Sequence, residues 1–159
     1  MKNESYLEYL REKAVETGEI EGCEFLIVPS PTEFGGLNGY IYFPKKPVRE
    51  DGYDGLLRWV PVHGGITLAR KEGRGMIYGF DTAHCNSDEY PRTSHDWIKK
   101  QIKLMLKGIL KAKEVELKYL KALRQSTKIK YAQMVLDVDE SHKNEFSLGA
   151  MIGILCGKV

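Results

Sequence analysis

Two short stretches of the chain decide the fold and locate the candidate site. Residues 59–67 read WVPVHGGIT, and residues 76–84 read MIYGFDTAH. Each is an apolar, strand-like run that ends on groups capable of chemistry. The first ends on His63 and two glycines, and the second ends on Asp81 with His84 three residues further on. Two neighbouring strands that finish in this way predict a small-molecule or metal site at the strand ends.

The pattern leaves two arrangements of these strands open. Strands at about 56–63 and 76–81 most simply form an antiparallel hairpin, which would put His63 and Asp81 at opposite ends. A separate strand at 66–69, after a bend at the diglycine, would instead bring His63 back to the Asp81 end. Trp59 shares the side parity of His63 on the first strand, so we expect it in the core or at a pocket wall.

The remaining pattern predicts an α+β fold: a small, mostly antiparallel sheet of four to six strands with a long helix packed on one face. Apolar periodicity and turn residues place the other elements: a helix over 4–17 stopped by Gly18, strands over 23–28 and 39–44, a long helix over 95–123, a strand over 128–138 and a closing helix. Ser94 or Thr93 is the expected N-cap of the long helix, with Asp96 in its first turn. Gly108 lies within that helix and indicates close packing or a kink there.

Composition indicates one globular domain over residues 1–159. The chain is 42% hydrophobic and 29% charged, and its formal net charge of +2 gives no specific nucleic-acid signal. Lysines between Lys99 and Lys130 are best interpreted as a solvated helix face. The three cysteines have no metal or disulfide spacing, which favours a reducing, cytoplasmic setting. The longest apolar run is about half the ~20 residues that a membrane span needs, so no membrane role is predicted.

The predicted site has a ligand set with known chemistry. His63, Asp81 and His84 match the two-histidine, one-carboxylate set of catalytic zinc and non-haem iron, and manganese is a further candidate. The same residues could do acid–base work without a metal, since the carboxylate can orient an imidazole. The structural alternatives are a histidine that caps a tight turn, and an aspartate that caps the turn after its strand.

Glycines and two further side chains extend the site. Gly64 and Gly65 allow close backbone approach and offer N–H groups to an anion, and Tyr40 and Thr67 are the other predicted ligand contacts. The chain has no GxGxxG, GxxxxGK[ST] or GxSxG motif, which argues against the common dinucleotide, P-loop and serine-hydrolase routes.

Three ordered motifs carry a resemblance. The segments LNGYIYFP, VHGGIT and GFDTAH, followed by a long helix, make residues 37 to about 106 resemble a family of small uncharacterised proteins common in bacteriophages and prokaryotic genomes. The chain departs from many relatives after the histidine, where Cys85 and Asn86 replace a Gly-Asp pair. The resemblance implies a shared site and a viral or mobile-element context, but no particular reaction.

Three functions follow as hypotheses. The first is a metal-dependent hydrolase that acts on a small or nucleotide-like substrate through His63, Asp81 and His84. The second is a non-catalytic small-ligand-binding protein that uses the same pocket. The third is a structural or partner-binding viral protein. In that case Gly149, Gly153 and Gly157, spaced four apart, would form a helix face for homo-oligomer packing.

Overall fold

The computed structural model describes residues 5–32, 35–83 and 91–126 of the chain. Its elements, in order, are α1 (Tyr6–Lys13), β1 (Glu16–Ile20), β2 (Cys23–Pro29), β3 (Leu37–Phe43), a 3-10 helix (Leu56–Trp59), β4 (Leu68–Glu72), β5 (Gly75–Phe80) and α2 (His95–Ser126). The predicted strand over 128–138, the closing helix and the Gly149, Gly153 and Gly157 face lie outside the described residues.

The strands form one five-stranded sheet in the order β1-β2-β3-β5-β4, and every neighbouring pair is antiparallel. The long helix α2 packs on one face of this sheet. The predicted α+β class, with an antiparallel sheet of four to six strands and a long helix on one face, is therefore confirmed.

The main core lies between the sheet and α2. Ser94 caps the helix, since its Oγ accepts from the Trp97 N–H at 3.3 Å, and Asp96 lies in the first turn as predicted. The helix then buries one continuous apolar stripe. Its fully buried members include Ile98, Ile102, Met105, Leu106 and Ile109, which meet Phe25, Ile27, Ile41, Met76, Tyr78 and Phe80 of the sheet.

A second, smaller core lies on the other face, beneath α1. Leu7 and Leu10 pack there on Leu26, Val28 and Ile77. The helix predicted over 4–17 ends at Lys13, and the chain turns extended to form β1, which the sequence pattern missed. Gly18 therefore lies within a strand rather than stopping a helix.

The prediction of a strand over 56–63 is wrong, because residues 56–59 form a 3-10 helix instead. A carboxylate holds this helix in place. The two Glu50 side-chain oxygens accept from the Leu56 N–H at 3.1 Å and the Leu57 N–H at 2.9 Å. Side chains alternate between two faces in a strand but not in a 3-10 helix, so Trp59 and His63 need not lie on the same side. Trp59, expected in the core or at a pocket wall, is consequently 80% exposed.

The separate strand predicted at 66–69 after the diglycine bend does form, over Leu68–Glu72, although no strand directly precedes the bend among residues 56–63. A separate strand, β4, follows the diglycine and pairs with β5 through a tight turn, with Leu68 opposite Gly79. Residues just after the diglycine therefore lie at the end of β5, where Asp81 follows.

Glycines opposite aromatic rings let the strands approach closely. Gly39 lies directly across from Phe80, whose ring fills the space that a Cβ at Gly39 would need. Gly79 lies across from Tyr40, and the Tyr40 ring covers it in the same way on the other face. A ring laid over a glycine buries backbone that would otherwise be exposed and weakly held.

Gly108 confirms the predicted close packing within α2. A Cβ at this position would lie 2.7 Å from Val60 Cγ1 and 2.8 Å from Pro61 Cδ. The segment that follows the 3-10 helix therefore rests directly on the helix backbone. Within the described residues, neither helix combines the length and the apolar character that crossing a membrane requires.

Candidate site at the loop-bearing end of the sheet

Both sequence motifs meet at one end of the sheet. The Thr67 N–H donates to the Gly79 carbonyl at 2.9 Å, which extends the β4–β5 pairing up to the diglycine turn. At the same end, the Leu37 N–H donates to the Arg92 carbonyl at 2.8 Å. This bond joins the segment before α2 to the first residue of β3. Segments before β3, before β4 and after β5 thus converge, an arrangement in which binding residues are typically held by a rigid scaffold.

The diglycine makes the bend that the sequence required. Gly64 and Gly65 have φ values of 67° and 82°, a region that favours glycine. The Gly65 N–H donates to the Val62 carbonyl at 2.9 Å and closes the turn. Its hydrogen is therefore already engaged within the protein, which leaves it unsuited to the anion contact predicted for it.

His63 is anchored on α2. Its N–H donates to Gln101 Oε1 at 3.0 Å, and its ring meets the Trp97 ring edge-to-face, with centroids 5.3 Å apart. The side chain is half-buried and its Nε2 atom is fully enclosed. These contacts hold the imidazole ring in place against α2.

Asp81 lies on the opposite face of the sheet. Side chains alternate along β5, so Asp81 shares the α1 face with Ile77, while Phe80 points to α2. Asp81 Oδ1 accepts from the Ala83 N–H at 3.0 Å, so its carboxylate caps the turn after the strand, as one alternative predicted.

Tyr40 joins Asp81 on that face. Burial raises the pKa of its phenol to about 12, and the nearby Tyr6 and Asp81 add to the increase. The hydroxyl therefore stays protonated over the physiological range, where it is hydrogen-bonded to Asn38 and Tyr6. Thr67, the other predicted ligand contact, has an exposed side chain and contributes its backbone to the sheet.

Two buried polar residues that the sequence analysis missed complete the floor of this region. Asn38 is 5% exposed and Thr82 is fully buried. The Thr82 N–H donates to Asn38 Oδ1 at 3.2 Å, which fixes the backbone directly after Asp81. Gly36 lies so close that a Cβ there would fall 2.6 Å from Thr82 Oγ1. Asparagine is depleted in strands, so an asparagine within β3 was the sequence signal that could have identified Asn38 as a site residue.

The structure thus brings His63 and Asp81 to the same end of the sheet but not to the same face. His84 lies outside the described residues. Within residues 5–32, 35–83 and 91–126 there is no group of three His, Cys, Asp or Glu side chains that could hold a metal ion. The zinc, iron or manganese set of His63, Asp81 and His84 stays a prediction.

A histidine–carboxylate contact does form elsewhere, at the β1 edge. His95 Nδ1 lies 2.5 Å from Glu16 Oε2, and Lys99 Nζ lies 3.0 Å from Glu16 Oε1. The hydrogen bond from His95, followed by that from Lys99, lowers the pKa of the Glu16 carboxyl. The three side chains are partly exposed, so the cluster fastens α2 to the sheet edge with little net energy.

Comparison of the chain with protein-family models, with curated proteins and with solved structures finds no match. The resemblance to phage and prokaryotic proteins therefore rests on its three motifs alone.

Proposed function

We propose that the protein binds a small polar ligand at the loop-bearing end of the sheet, on the α1 face. The observation that supports this most is the placement of Asp81 beside Tyr40 above the Asn38–Thr82 floor. A few polar groups that converge over an otherwise apolar wall are typical of small-molecule sites.

The chemistry of these groups defines the class of ligand. The Asp81 carboxylate accepts hydrogen bonds and attracts positive charge, while the protonated Tyr40 hydroxyl, which is hydrogen-bonded to Tyr6 and Asn38, would give its proton to the ligand in place of Tyr6. A ligand with amino or hydroxyl donors near one acceptor, such as a nucleoside or an amino sugar, fits this pair. His63 has a separate task in this proposal: it locks the diglycine turn against α2.

The metal-dependent hydrolase is the competing proposal, and it requires His63 and Asp81 to share one ion with His84. Their attachment to opposite faces supports the binding function better.

One experiment separates these functions. Thermal unfolding of the wild type is measured with a panel of nucleosides, amino sugars and other small polar metabolites, and bound metal is measured by elemental analysis. A ligand at 100 times its Kd adds about 2.7 kcal/mol, which for a chain of this size raises the Tm by roughly 5–10 °C.

Asp81→Asn and Tyr40→Phe should abolish that increase, while Asp54→Asn, at an exposed aspartate in the loop before the 3-10 helix, should keep it. Stoichiometric metal that disappears in both His63→Ala and Asp81→Asn would replace the binding proposal with the hydrolase. Neither metal nor ligand protection across the panel would refute both.

A further inference from the structure

The surface outside the proposed site carries an exposed tryptophan and a row of exposed lysines. Trp59 ends the 3-10 helix and is 80% exposed. The following residues, Val60 and Pro61, rest on α2 at Gly108. Trp59 is therefore held one residue from the point where the chain contacts α2.

The tryptophan is held by a rigid support. Leu57 is fully buried, and the Glu50 carboxylate fixes the first turn of the 3-10 helix through two backbone N–H groups. The guanidinium of Arg58 lies 5.7 Å from the centroid of the Trp59 ring. A large aromatic ring fixed in water presents a preformed stacking surface, with a cation already over one of its faces.

The adjacent face of α2 is basic. Its lysines recur at helical spacing and are all exposed: Lys100, Lys103, Lys107, Lys111 and Lys118. Residues three and four apart share one side of a helix, so these ammonium groups form one row about 27 Å long. Two acidic residues lie between Lys111 and Lys118: Glu116, which is buried, and Glu114, whose Oε2 lies 3.2 Å from Lys111 Nζ.

Two residues connect the row to the tryptophan. Leu104 and Lys111 are the i−4 and i+3 neighbours of Gly108, so they lie on the same side of α2 as the contact with Val60. Leu104 is 42% exposed and adds apolar surface between the lysines and the ring.

We propose that this surface binds single-stranded nucleic acid, with the phosphates along the α2 lysine row and a base stacked on Trp59. Nucleic acids without a paired strand present phosphates and free base faces together, and proteins bind them with basic tracks and aromatic platforms. Duplex bases are already stacked on one another, so they give Trp59 no partner. The net charge of only +2 does not oppose this, because five of the 24 lysines and arginines of the chain lie on this one helix face.

The test uses the full chain and a fluorescein-labelled single-stranded DNA or RNA oligonucleotide of about 15 nucleotides. Binding is followed by anisotropy at several salt concentrations. Five lysine–phosphate contacts predict a slope of log K against log salt of about −3.5, and substituting Lys103, Lys107 and Lys111 by glutamate should reduce it to about −1.4.

Variants separate charge from stacking. The triple glutamate variant and Trp59→Ala should each bind about tenfold or more weakly. Lys113→Glu changes an exposed lysine on another side of α2 and should retain wild-type binding. Because the chain has two tryptophans, Trp97→Phe leaves Trp59 as the only tryptophan, and the tryptophan fluorescence should be quenched on binding.

Several results would overturn the proposal. These are no binding at low salt, equal affinity of the triple glutamate variant, or Trp59 emission that does not change when the oligonucleotide binds. Equal affinity for duplex and single strands would overturn it as well. Sedimentation that shows dimers lost in Trp59→Ala, without nucleic-acid binding, would assign the surface to a second copy of the chain instead.

Discussion

Replacing Gly108 by alanine tests whether the α2 backbone is in direct contact with the segment after the 3-10 helix. On an exposed helix surface the change would stabilise the protein, since alanine is favoured over glycine by about 1 kcal/mol in a helix interior. Here the added Cβ would lie 2.7 Å from Val60 Cγ1 and 2.8 Å from Pro61 Cδ. The proline ring is stiff, so the segment must shift as a unit.

Overpacking of this kind costs about 1–3 kcal/mol, which outweighs the gain in helix propensity. We therefore expect Gly108→Ala to lower the free energy of unfolding by about 1 kcal/mol and the Tm by roughly 2–4 °C. Urea and thermal unfolding measure both quantities. The difference between Lys107→Ala and Lys107→Gly, at the exposed neighbouring position, measures the propensity gain on this same helix.

A double-mutant cycle identifies the clash as the cause. Val60→Ala removes the atom closest to the new Cβ, so Gly108→Ala should cost at least 0.5 kcal/mol less in that background, as expected for residues in contact. An increase of about 1 kcal/mol in the stability of Gly108→Ala, or additive effects in the cycle, would refute the reasoning.

Two further predictions concern polar groups. Glu50→Ala leaves the Leu56 and Leu57 N–H groups without their acceptor and should lower the free energy of unfolding by about 1–2 kcal/mol. Glu50→Gln keeps one acceptor oxygen and should lose less stability. Equal losses for the two variants in urea unfolding would contradict the capping role. The Tyr40 pKa of about 12 exceeds the usual value of about 10, so its neutral form stabilises the fold fully below pH 10. That contribution should fade as the pH rises from 10 to 12. Tyr40→Phe should make the stability profile less steep in this window, where Tyr78, whose pKa burial also raises, keeps part of the slope. A phenolate absorbance midpoint near 10 for Tyr40 would be evidence against its burial.

The parts of the fold set by apolar periodicity could be predicted from the sequence. Long, regular patterns such as that of α2 fix the element and its buried side, and Ser94 supplies a recognisable cap. The failures occur where local signals compete. Residues 56–63 resemble a strand in composition, but the Glu50 carboxylate accepts from two backbone N–H groups and stabilises a helical turn there. An acceptor six and seven residues before its donors leaves no signal in the apolar pattern.

The candidate site divides along the same line. The diglycine bend and the meeting of both motifs at one sheet end follow from turn chemistry and strand pairing. The placement of His63 and Asp81 on opposite faces does not follow from them, because it depends on the face of the sheet on which each segment lies. That face is decided by the contact of His63 with Trp97 and Gln101 on a helix more than 30 residues along the chain.

The glycine–aromatic pairs have a consequence for how the strands find their alignment. A slip of two residues between β3 and β5 keeps each side chain on its own face, so the alternation of apolar and polar residues cannot exclude it. After such a slip, Phe80 would oppose Leu37 or Ile41 in place of Gly39, and Tyr40 would oppose Ile77 or Asp81 in place of Gly79. Each ring would then meet a side chain in the space it now fills. The two glycines therefore fix the register of β3 against β5, because they allow one of the alignments that the hydrophobic pattern permits and exclude the others.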